Sequence, residues 1–165
     1  MLPDFEPPTA ADDHDRKLLS DIQQVGWHVL HITPDETGPA YSFTVGLYYS
    51  FGHPELVVMG LAPSLSHQVL NLAVINIAAG EAFPAGVKTD LLLKNFHCTF
   101  VPVAIENYKE YLGYGIWFYR TLGHPFPTLQ LVWPDKQDLL PWESGYDKRY
   151  EKLQPLLNRA QGEIR

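Results

Sequence analysis

Residues 41–47 read YSFTVGL, and residues 55–61 read ELVVMGL. In the first run a large apolar residue occupies every second position. These residues are Tyr41, Phe43, Val45 and Leu47. Because successive side chains of a strand point to opposite faces, this run predicts a strand with one face on the core and the other facing a polar environment. The second run is apolar on both faces, which predicts a central strand covered on both sides.

Three more runs, rich in β-branched and aromatic residues, predict further strands. They span residues 27–33, 96–103 and 128–133. Short connections between the first three strands indicate an antiparallel meander. Strands and helices interleave without a regular βαβ rhythm, so we expect an α+β fold. Its sheet is expected to be mainly antiparallel, a meander of about five strands packed with two to four helices.

Helical spacing of apolar residues predicts the helices. The first begins at Asp12 or Asp13 and ends at Gly26. The second, residues 64–79, is apolar almost all round, so we expect it to lie across the sheet with most of its circumference covered. A third, residues 108–122, contains two glycines that weaken it. A short helix is expected after Tyr146.

The chain of 165 residues fits one domain. Residues 1–11 contain three prolines and two acids, which predicts a mobile lead-in before a single α+β domain over residues 12–165. The hydrophobic share of 45% and the charged share of 19% are typical of a globular protein. The N-terminal residues lack the basic start and apolar core of a signal peptide. We therefore expect a cytoplasmic protein.

The formal net charge is -7, and lysine and arginine form no contiguous patch. A nucleic acid is not expected as a partner, because the average field repels a polyanion. No membrane association is expected either, since the longest weakly polar stretch, residues 69–79, is too short to span a bilayer. The single cysteine, Cys98, excludes an intrachain disulfide and is expected to be a buried, inert thiol.

Motifs for several kinds of chemistry are absent from the sequence. It has no dinucleotide-binding glycine fingerprint, no phosphate-binding P-loop, no metalloprotease helix motif, no cysteine pair for zinc and no serine elbow. The cofactor is therefore unknown, and no motif identifies a set of metal ligands. One short echo is visible, because Gly52-His53-Pro54 and Gly123-His124-Pro125 each precede an apolar strand. Shared turn chemistry explains it.

His53 and Glu55 form the candidate catalytic pair. They lie where a loop meets a strand, so their side chains can reach the rim of a cleft and still be held rigidly. His53 would act as general base or metal ligand, with Glu55 orienting it and Asp135 as a further polar group. Ordinary loop chemistry accounts for the pair as well. The candidate ligand-binding residues are Tyr41, Trp133 and Trp142.

Six large rings occupy the twelve positions from Tyr108 to Tyr119. They cannot all face inward on one helix, so some are expected to form an interaction surface. The candidates for this surface are Tyr108, Tyr111, Tyr114 and Trp117. An acidic protein attracts basic surfaces, which favours a basic partner protein.

Four longer stretches carry a resemblance to a known family. They are YSFTVGL (41–47), GHPELVVMGL (52–61), LQLVWPD (129–135) and PWESGYD (141–147). In this order they resemble a bacterial domain of unknown function, number 4262, over about residues 12–147. The resemblance implies a bacterial, intracellular, stand-alone domain and no established activity. It also marks residues 52–56 and 130–142 as family hallmarks, of a shared site or of a shared fold.

Three functional hypotheses follow. The first is a protein-binding accessory or immunity-type module, favoured by the charge and the surplus rings. The second is a small-molecule enzyme, hydrolytic or metal-assisted, which requires His53 and Glu55 to converge with Asp135 or another polar group in a pocket. The third is a small-ligand or flavin-type binder.

Overall fold

The computed structural model describes residues 1–160, which fold around one six-stranded sheet. The strands are β1 (His28–Ile32), β2 (Tyr41–Val45), β3 (Glu55–Met59), β4 (Thr89–Leu93), β5 (Phe96–Pro102) and β6 (Thr128–Val132). Their order across the sheet is β1-β2-β3-β6-β5-β4. Neighbouring strands are antiparallel except β3 and β6, which run parallel.

Five α-helices accompany the sheet within these residues. They are α1 (Asp13–Val25), α2 (Leu47–Phe51), α3 (Pro63–Ala78), α4 (Tyr108–Tyr111) and α5 (Gly113–Phe118). Two 3-10 turns, Ile105–Asn107 and Lys148–Tyr150, complete the regular structure. The second turn stands where a short helix was predicted after Tyr146.

The α+β class and the mainly antiparallel sheet are confirmed, but the five-stranded meander and the two to four helices are wrong. Strand β4 lies in a stretch that Pro84 and Gly86 make look like a loop, and its pairing with β5 supplies the sixth strand. After β5 the chain forms α4 and α5 and then returns between β3 and β5. This return creates the parallel pair, which a meander lacks.

Strand β2 ends two residues before the alternation predicts. Gly46 has a φ of 108°, a left-handed conformation that glycine adopts at little cost, and α2 begins at the next residue. A Cβ at Gly46 would lie 2.9 Å from the Gly26 carbonyl oxygen, so no other residue fits without a shift. Leu47 consequently packs in a different core from Phe43 and Val45.

Each face of the sheet has its own core. The α1 core lies between the sheet and helices α1, α4 and α5. Its members include Leu18, Ile22, Phe43, Val57, Met59, Phe118 and Phe126. The α3 core lies on the other face, under α3. Its members include Leu56, Val58, Val69, Leu70, Ala73, Phe100 and Leu131. Both faces of β3 are therefore covered, as its apolar sequence predicts.

The first helix has the ends that its sequence predicts. The Asp12 side chain accepts a hydrogen bond from the backbone N–H of Asp15 at 2.8 Å, which satisfies one free donor of the first turn. At the other end Gly26 has a φ of 95° and donates its N–H to the Ile22 carbonyl at 2.9 Å. Leu18 and Ile22 face the α1 core.

The predicted helix over residues 108–122 is two short helices. The break lies at Leu112, whose φ of -121° and ψ of 36° are not helical. Gly115 lies inside α5 at a point where the ring of Phe126 packs closely against the helix. A Cβ at this position would lie 2.7 Å from that ring, which explains why the residue is glycine. The break redirects the second half of the segment, so the rings of α4 and α5 follow no single helical stripe.

Helix α3 crosses the face of the sheet as predicted, but much less of its circumference is covered than predicted. Six residues face the sheet and are buried: Ser66, Val69, Leu70, Ala73, Val74 and Ile77. On the other side Leu65, Leu72 and Ile75 have exposed fractions of 37%, 42% and 55%. The apolar pattern correctly indicates a helix, and the exposed side simply has no covering element in residues 1–160.

The segment of residues 1–11, predicted to be a mobile lead-in, contacts the domain. The backbone N–H of Leu2 donates to the Tyr49 carbonyl at 2.9 Å. The ring of Phe5 lies 5.5 Å from that of Tyr49 and 5.6 Å from that of Phe118. Residues 161–165 of the predicted domain lie outside the described part. None of the helices in residues 1–160 combines the length and the apolar character that crossing a membrane requires.

Candidate functional site

Both Gly-His-Pro tripeptides form the same turn. Gly52 and Gly123 have φ values of 70° and 83°. Nδ1 of each histidine lies beside the carbonyl oxygen of the following proline, at 2.8 Å for His53 and 3.0 Å for His124. Because a carbonyl only accepts, Nδ1 carries the proton in both rings. The two tripeptides precede the parallel strands β3 and β6. Because they form the same turn, shared turn chemistry explains why the tripeptide occurs twice in the sequence.

Glu55, the first residue of β3, is buried and has four hydrogen-bond donors. Oε1 accepts from the backbone N–H of Gly46 at 2.8 Å, from that of Tyr48 at 3.2 Å and from the hydroxyl of Tyr119. The hydroxyl of Thr44 lies 2.6 Å from Oε2. This carboxyl group thus joins the end of β2, the start of α2 and the end of α5 to β3.

Two hydroxyl groups are oriented toward Glu55 by the backbone. The N–H of Leu56 donates to the Thr44 hydroxyl oxygen at 2.9 Å, and the N–H of Tyr49 donates to that of Tyr119 at 3.1 Å. Each hydroxyl has one proton, which is then free to point at the carboxylate. Every polar atom of this buried group has a partner, as buried polar networks require.

Burial raises the pKa of the Glu55 carboxyl above its ordinary value of 4.5, while the hydrogen bonds from Thr44 and Tyr119 act in the opposite direction. Burial and the neighbouring carboxyl also raise the pKa of the Tyr119 hydroxyl. Glu55 is enclosed by the fold, with 1% of its surface exposed. In this position it holds four segments together.

The structure does not bring His53, Glu55 and Asp135 together. The His53 ring packs near Phe83, a member of the α3 core, at 6.3 Å between centroids. Glu55 faces Tyr119 in the α1 core, on the other side of the sheet. Asp135 follows the C-terminal end of β6, whereas Glu55 pairs with Thr128 at its N-terminal end. The three predicted catalytic residues therefore occupy different faces and different ends of the sheet.

Asp135 organises the loop after β6. Its Oδ1 accepts from the backbone N–H of Gln137 at 2.9 Å and of Leu139 at 3.0 Å, and its Oδ2 from that of Asp147 at 2.9 Å. Desolvation works to raise the pKa of Asp135, but these three backbone donors together hold it below its ordinary value. Asp135 thus fixes the conformation of the loop that follows β6.

The predicted ligand-binding residues also lie apart. Tyr41 packs against the α1 core, where its ring meets that of Tyr111 at 5.3 Å, and burial raises its pKa to about 12. Trp133 belongs to the α3 core and donates its ring N–H to the Met59 carbonyl at 2.7 Å. Trp142 is 52% exposed on the loop after β6. Tyr41 and Trp133 thus lie on opposite faces of the sheet.

The predicted interaction surface is largely turned inward. Tyr108 and Tyr111 are buried, and the Tyr108 hydroxyl donates to the Phe126 carbonyl at 2.7 Å. Tyr114 and Trp117 are half-buried, with Tyr114 against the ring of His14 at 4.8 Å. The segment exposes aliphatic side chains instead, with Ile105 at 52% and Ile116 at 41%.

These two isoleucines line a groove of about 330 Å³, which we call the cationic groove. Its lining residues are Ile105, Tyr108, Lys109, Ile116, Tyr119, Arg120, His124, Pro125 and Phe126. Two of its residues are cations and a third is a histidine, and none is acidic. Within residues 1–160, Lys109 and Arg120 form no ion pair. A positive rim around apolar walls suits an apolar occupant that carries carboxylates.

A second cleft, the N-terminal cleft, has a volume of about 560 Å³. It lies between residues of the N-terminal segment, α1 and α2. Its lining residues include Met1, Pro7, Leu19, Ile22, Val25, Phe51 and Phe118. No acidic or basic side chain lines it, so an uncharged apolar molecule matches its chemistry. In the part of the chain that the structure describes, no group of three or more metal-ligating side chains is placed to hold an ion.

Sequence reasoning did not identify Tyr119 as the partner of Glu55, or Lys109, Ile116 and Arg120 as groove residues. The sequence carried one usable signal, the surplus of rings from Tyr108 onward, which marked the correct segment. It gave no indication that the exposed side would be aliphatic and basic, because the break at Leu112 changes the direction of the helix.

A family model described as a domain of unknown function, DUF4262, matches residues 21–147. The matched region contains all six strands, both Gly-His-Pro turns and the cationic groove. No curated protein and no solved structure matches the chain.

Proposed function

The chain belongs to the DUF4262 family, and we propose that it is a protein-binding module of an accessory or immunity type. Its cationic groove holds an acidic, apolar segment of a partner protein. The observation that carries this proposal is the groove itself, which combines exposed Ile105 and Ile116 with Lys109 and Arg120, two cations without an ion pair among residues 1–160.

Apolar contact supplies most of the expected affinity. Fully burying one isoleucine contributes about 1.5–3 kcal/mol relative to leaving it exposed, and two stand partly exposed here. An exposed ion pair contributes only about 0–1 kcal/mol. The cations therefore act on specificity and on the rate of association more than on affinity.

The charge of the groove favours an acidic partner segment. The net charge of -7 predicts a basic partner, but that prediction averages over the whole surface. At the groove the local sign is reversed, because no acidic residue lines it. Local charge at the contact decides which surfaces fit.

The walls of the groove are held in place before any partner arrives. The hydroxyl of Tyr108 donates a hydrogen bond to the Phe126 carbonyl, and the hydroxyl of Tyr119 donates one to the buried Glu55. The ring of Tyr119 stacks on that of Phe126 at 4.8 Å. Binding to a preorganised surface avoids the cost of ordering it. In this arrangement Glu55 is a positioning residue for a groove wall.

Peptide selection tests the proposal without a known partner. Random peptides displayed on phage are selected on the immobilised chain, and the enriched peptides are then measured against two variants. The groove variant is Lys109→Glu with Arg120→Glu. The control is Lys94→Glu with Lys136→Glu, which changes the net charge equally at two exposed lysines outside the groove.

We expect enriched peptides that combine aliphatic residues with Asp or Glu. They should bind the control as they bind the unchanged chain and lose at least about tenfold in affinity for the groove variant, a change of about 1.4 kcal/mol. Failure to enrich any peptide would overturn the proposal. So would equal binding to the groove variant and the control.

The N-terminal cleft supports a second candidate function, the binding of a small apolar molecule. Its volume of about 560 Å³ falls within the range of roughly 300–1,000 Å³ that is usual for ligand sites. Toluene is a suitable probe, followed by chemical-shift changes in NMR spectra. The expected changes lie at residues of α1 and α2 and disappear in Leu19→Trp, which fills the cleft. Shifts that persist in this variant would exclude the cleft.

A further inference from the structure

The outer side of α3 is unusual for a helix that faces solvent. Its sequence, PSLSHQVLNLAVINIA, contains no Asp, Glu, Lys or Arg. Surface helices normally carry charged residues on the side away from the core. Here that side carries Leu65, Leu72 and Ile75, which are 37%, 42% and 55% exposed.

The three side chains lie on one stripe of the helix. Leu72 follows Leu65 by seven residues, which is close to two full turns, and Ile75 follows Leu72 by three. Gln68 stands between them and is exposed too. The stripe runs along most of the helix, on the side away from Leu70 and Val74, which belong to the α3 core.

We propose that this outer face of α3 is where two copies of the chain associate about a two-fold axis. In such an interface the residues near the axis meet their own equivalents in the other copy. A charged residue near the axis would meet an identical charge, whereas leucine and isoleucine pack against themselves. The amide of Gln68 both donates and accepts, so it can bond its own equivalent.

The charge of the protein opposes contact between two copies least at this face. Two chains that each carry a net charge of -7 repel one another, and the cost is greatest where acidic residues approach each other. Along the 16 residues of α3 no acidic side chain is present. Contact there brings apolar surface together without placing like charges side by side.

The size of the face sets the expected strength. A helix of 16 residues is about 24 Å long, and one pair of helices buries less than the roughly 800 Å² per partner of a standard interface. The association should therefore be reversible and should depend on protein concentration. A weak dimer, with a Kd in the micromolar range, is the expected form.

Sedimentation velocity of the full chain tests this inference. The sample is measured from about 1 µM to about 1 mM, a range that includes micromolar dissociation constants. The interface variant is Ile75→Lys, which places two like charges near the axis. The matched control is Val87→Lys, because Val87 is 54% exposed and lies outside α3. Circular dichroism confirms that both variants are folded.

We expect the sedimentation coefficient of the unchanged chain and of the control to rise with concentration to that of a dimer. Ile75→Lys should remain a monomer throughout. An unchanged chain that stays monomeric over the whole range would overturn the inference, and so would dimerisation of Ile75→Lys equal to that of the control. The peptide selection concerns a separate surface, so the two results are independent.

Discussion

The hydroxyl of Tyr119 donates a hydrogen bond to Oε1 of Glu55, which lies 64 residues earlier in the chain. The contact joins the end of α5 to the start of β3. Since the other side of Tyr119 lines the cationic groove, a buried carboxyl group determines the position of a surface that is proposed to bind a partner. Glu55, which the sequence indicates as catalytic, influences the groove through this bond.

Tyr119→Phe should destabilise the fold. The change removes one hydrogen bond to Glu55 and leaves the backbone N–H of Tyr49 without its partner. Loss of a buried hydrogen bond to an ionisable group should lower the free energy of unfolding by about 2–3 kcal/mol in urea denaturation. Tyr111→Phe is the control, because no described residue hydrogen-bonds its hydroxyl. Equal stability of the two variants would contradict the assigned role of Tyr119.

Glu55→Gln should fold and should change how stability depends on pH. The amide oxygen can accept from Gly46, Tyr48 and Tyr119, and the amide nitrogen can donate to Thr44. Because burial raises the pKa of Glu55, the native protein loses stability as the pH rises from about 4.5 through the folded pKa. The glutamine variant lacks this loss.

The stability of Glu55→Gln relative to the unchanged chain should therefore increase with pH in that window. Urea denaturation at a series of pH values from 4 to 8 measures the difference, about 1.4 kcal/mol for each unit by which the two pKa values differ. Other carboxyl groups are common to both proteins and cancel. A difference that is constant with pH would show that Glu55 does not titrate in this range.

Asp135→Ala should loosen the loop that follows β6. Three backbone N–H groups lose their acceptor, and residues 135–147 should become more susceptible to limited proteolysis. Because the folded pKa of Asp135 is lowered, its contribution is complete above about pH 3.8 and is lost as the pH falls through the folded value. The stability gap between the variant and the unchanged chain should thus close in acid. Asp90→Ala, an exposed acid on β4, is the control.

Gly60→Ala should be among the most destabilising substitutions in the chain. Gly60 has a φ of 79°, and a Cβ would lie 2.1 Å from the carbonyl oxygen of Leu153. Gly52→Ala is the matched control, since its φ is 70° but nothing lies within 4 Å. We expect a cost of about 1–2 kcal/mol at Gly52 from the left-handed backbone alone. At Gly60 the added clash should bring it to about 3–5 kcal/mol in thermal or urea unfolding. Similar costs would mean that the Leu153 backbone moves freely.

Local patterns in the sequence determined much of the framework. The alternation in residues 41–47 and the apolar run at 55–61 identified β2 and β3, because side-chain period and hydrophobicity act within a few residues. The ends of α1 followed from Asp12 and Gly26 for the same reason. The four longer stretches that resemble the DUF4262 family identified the family, as the match over residues 21–147 confirms.

Other features depend on which distant residues meet, and only the tertiary structure decided them. Strand β4 exists through its pairing with β5, and Pro84 and Gly86, which precede it, indicate a loop. Strands β3 and β6 are neighbours and run parallel. Glu55 at the start of β3 and Asp135 after the end of β6 therefore lie at opposite ends of the sheet. The exposed stripe of α3 could not be predicted either. A periodic pattern indicates which residues are apolar, but burial depends on whether another element covers them.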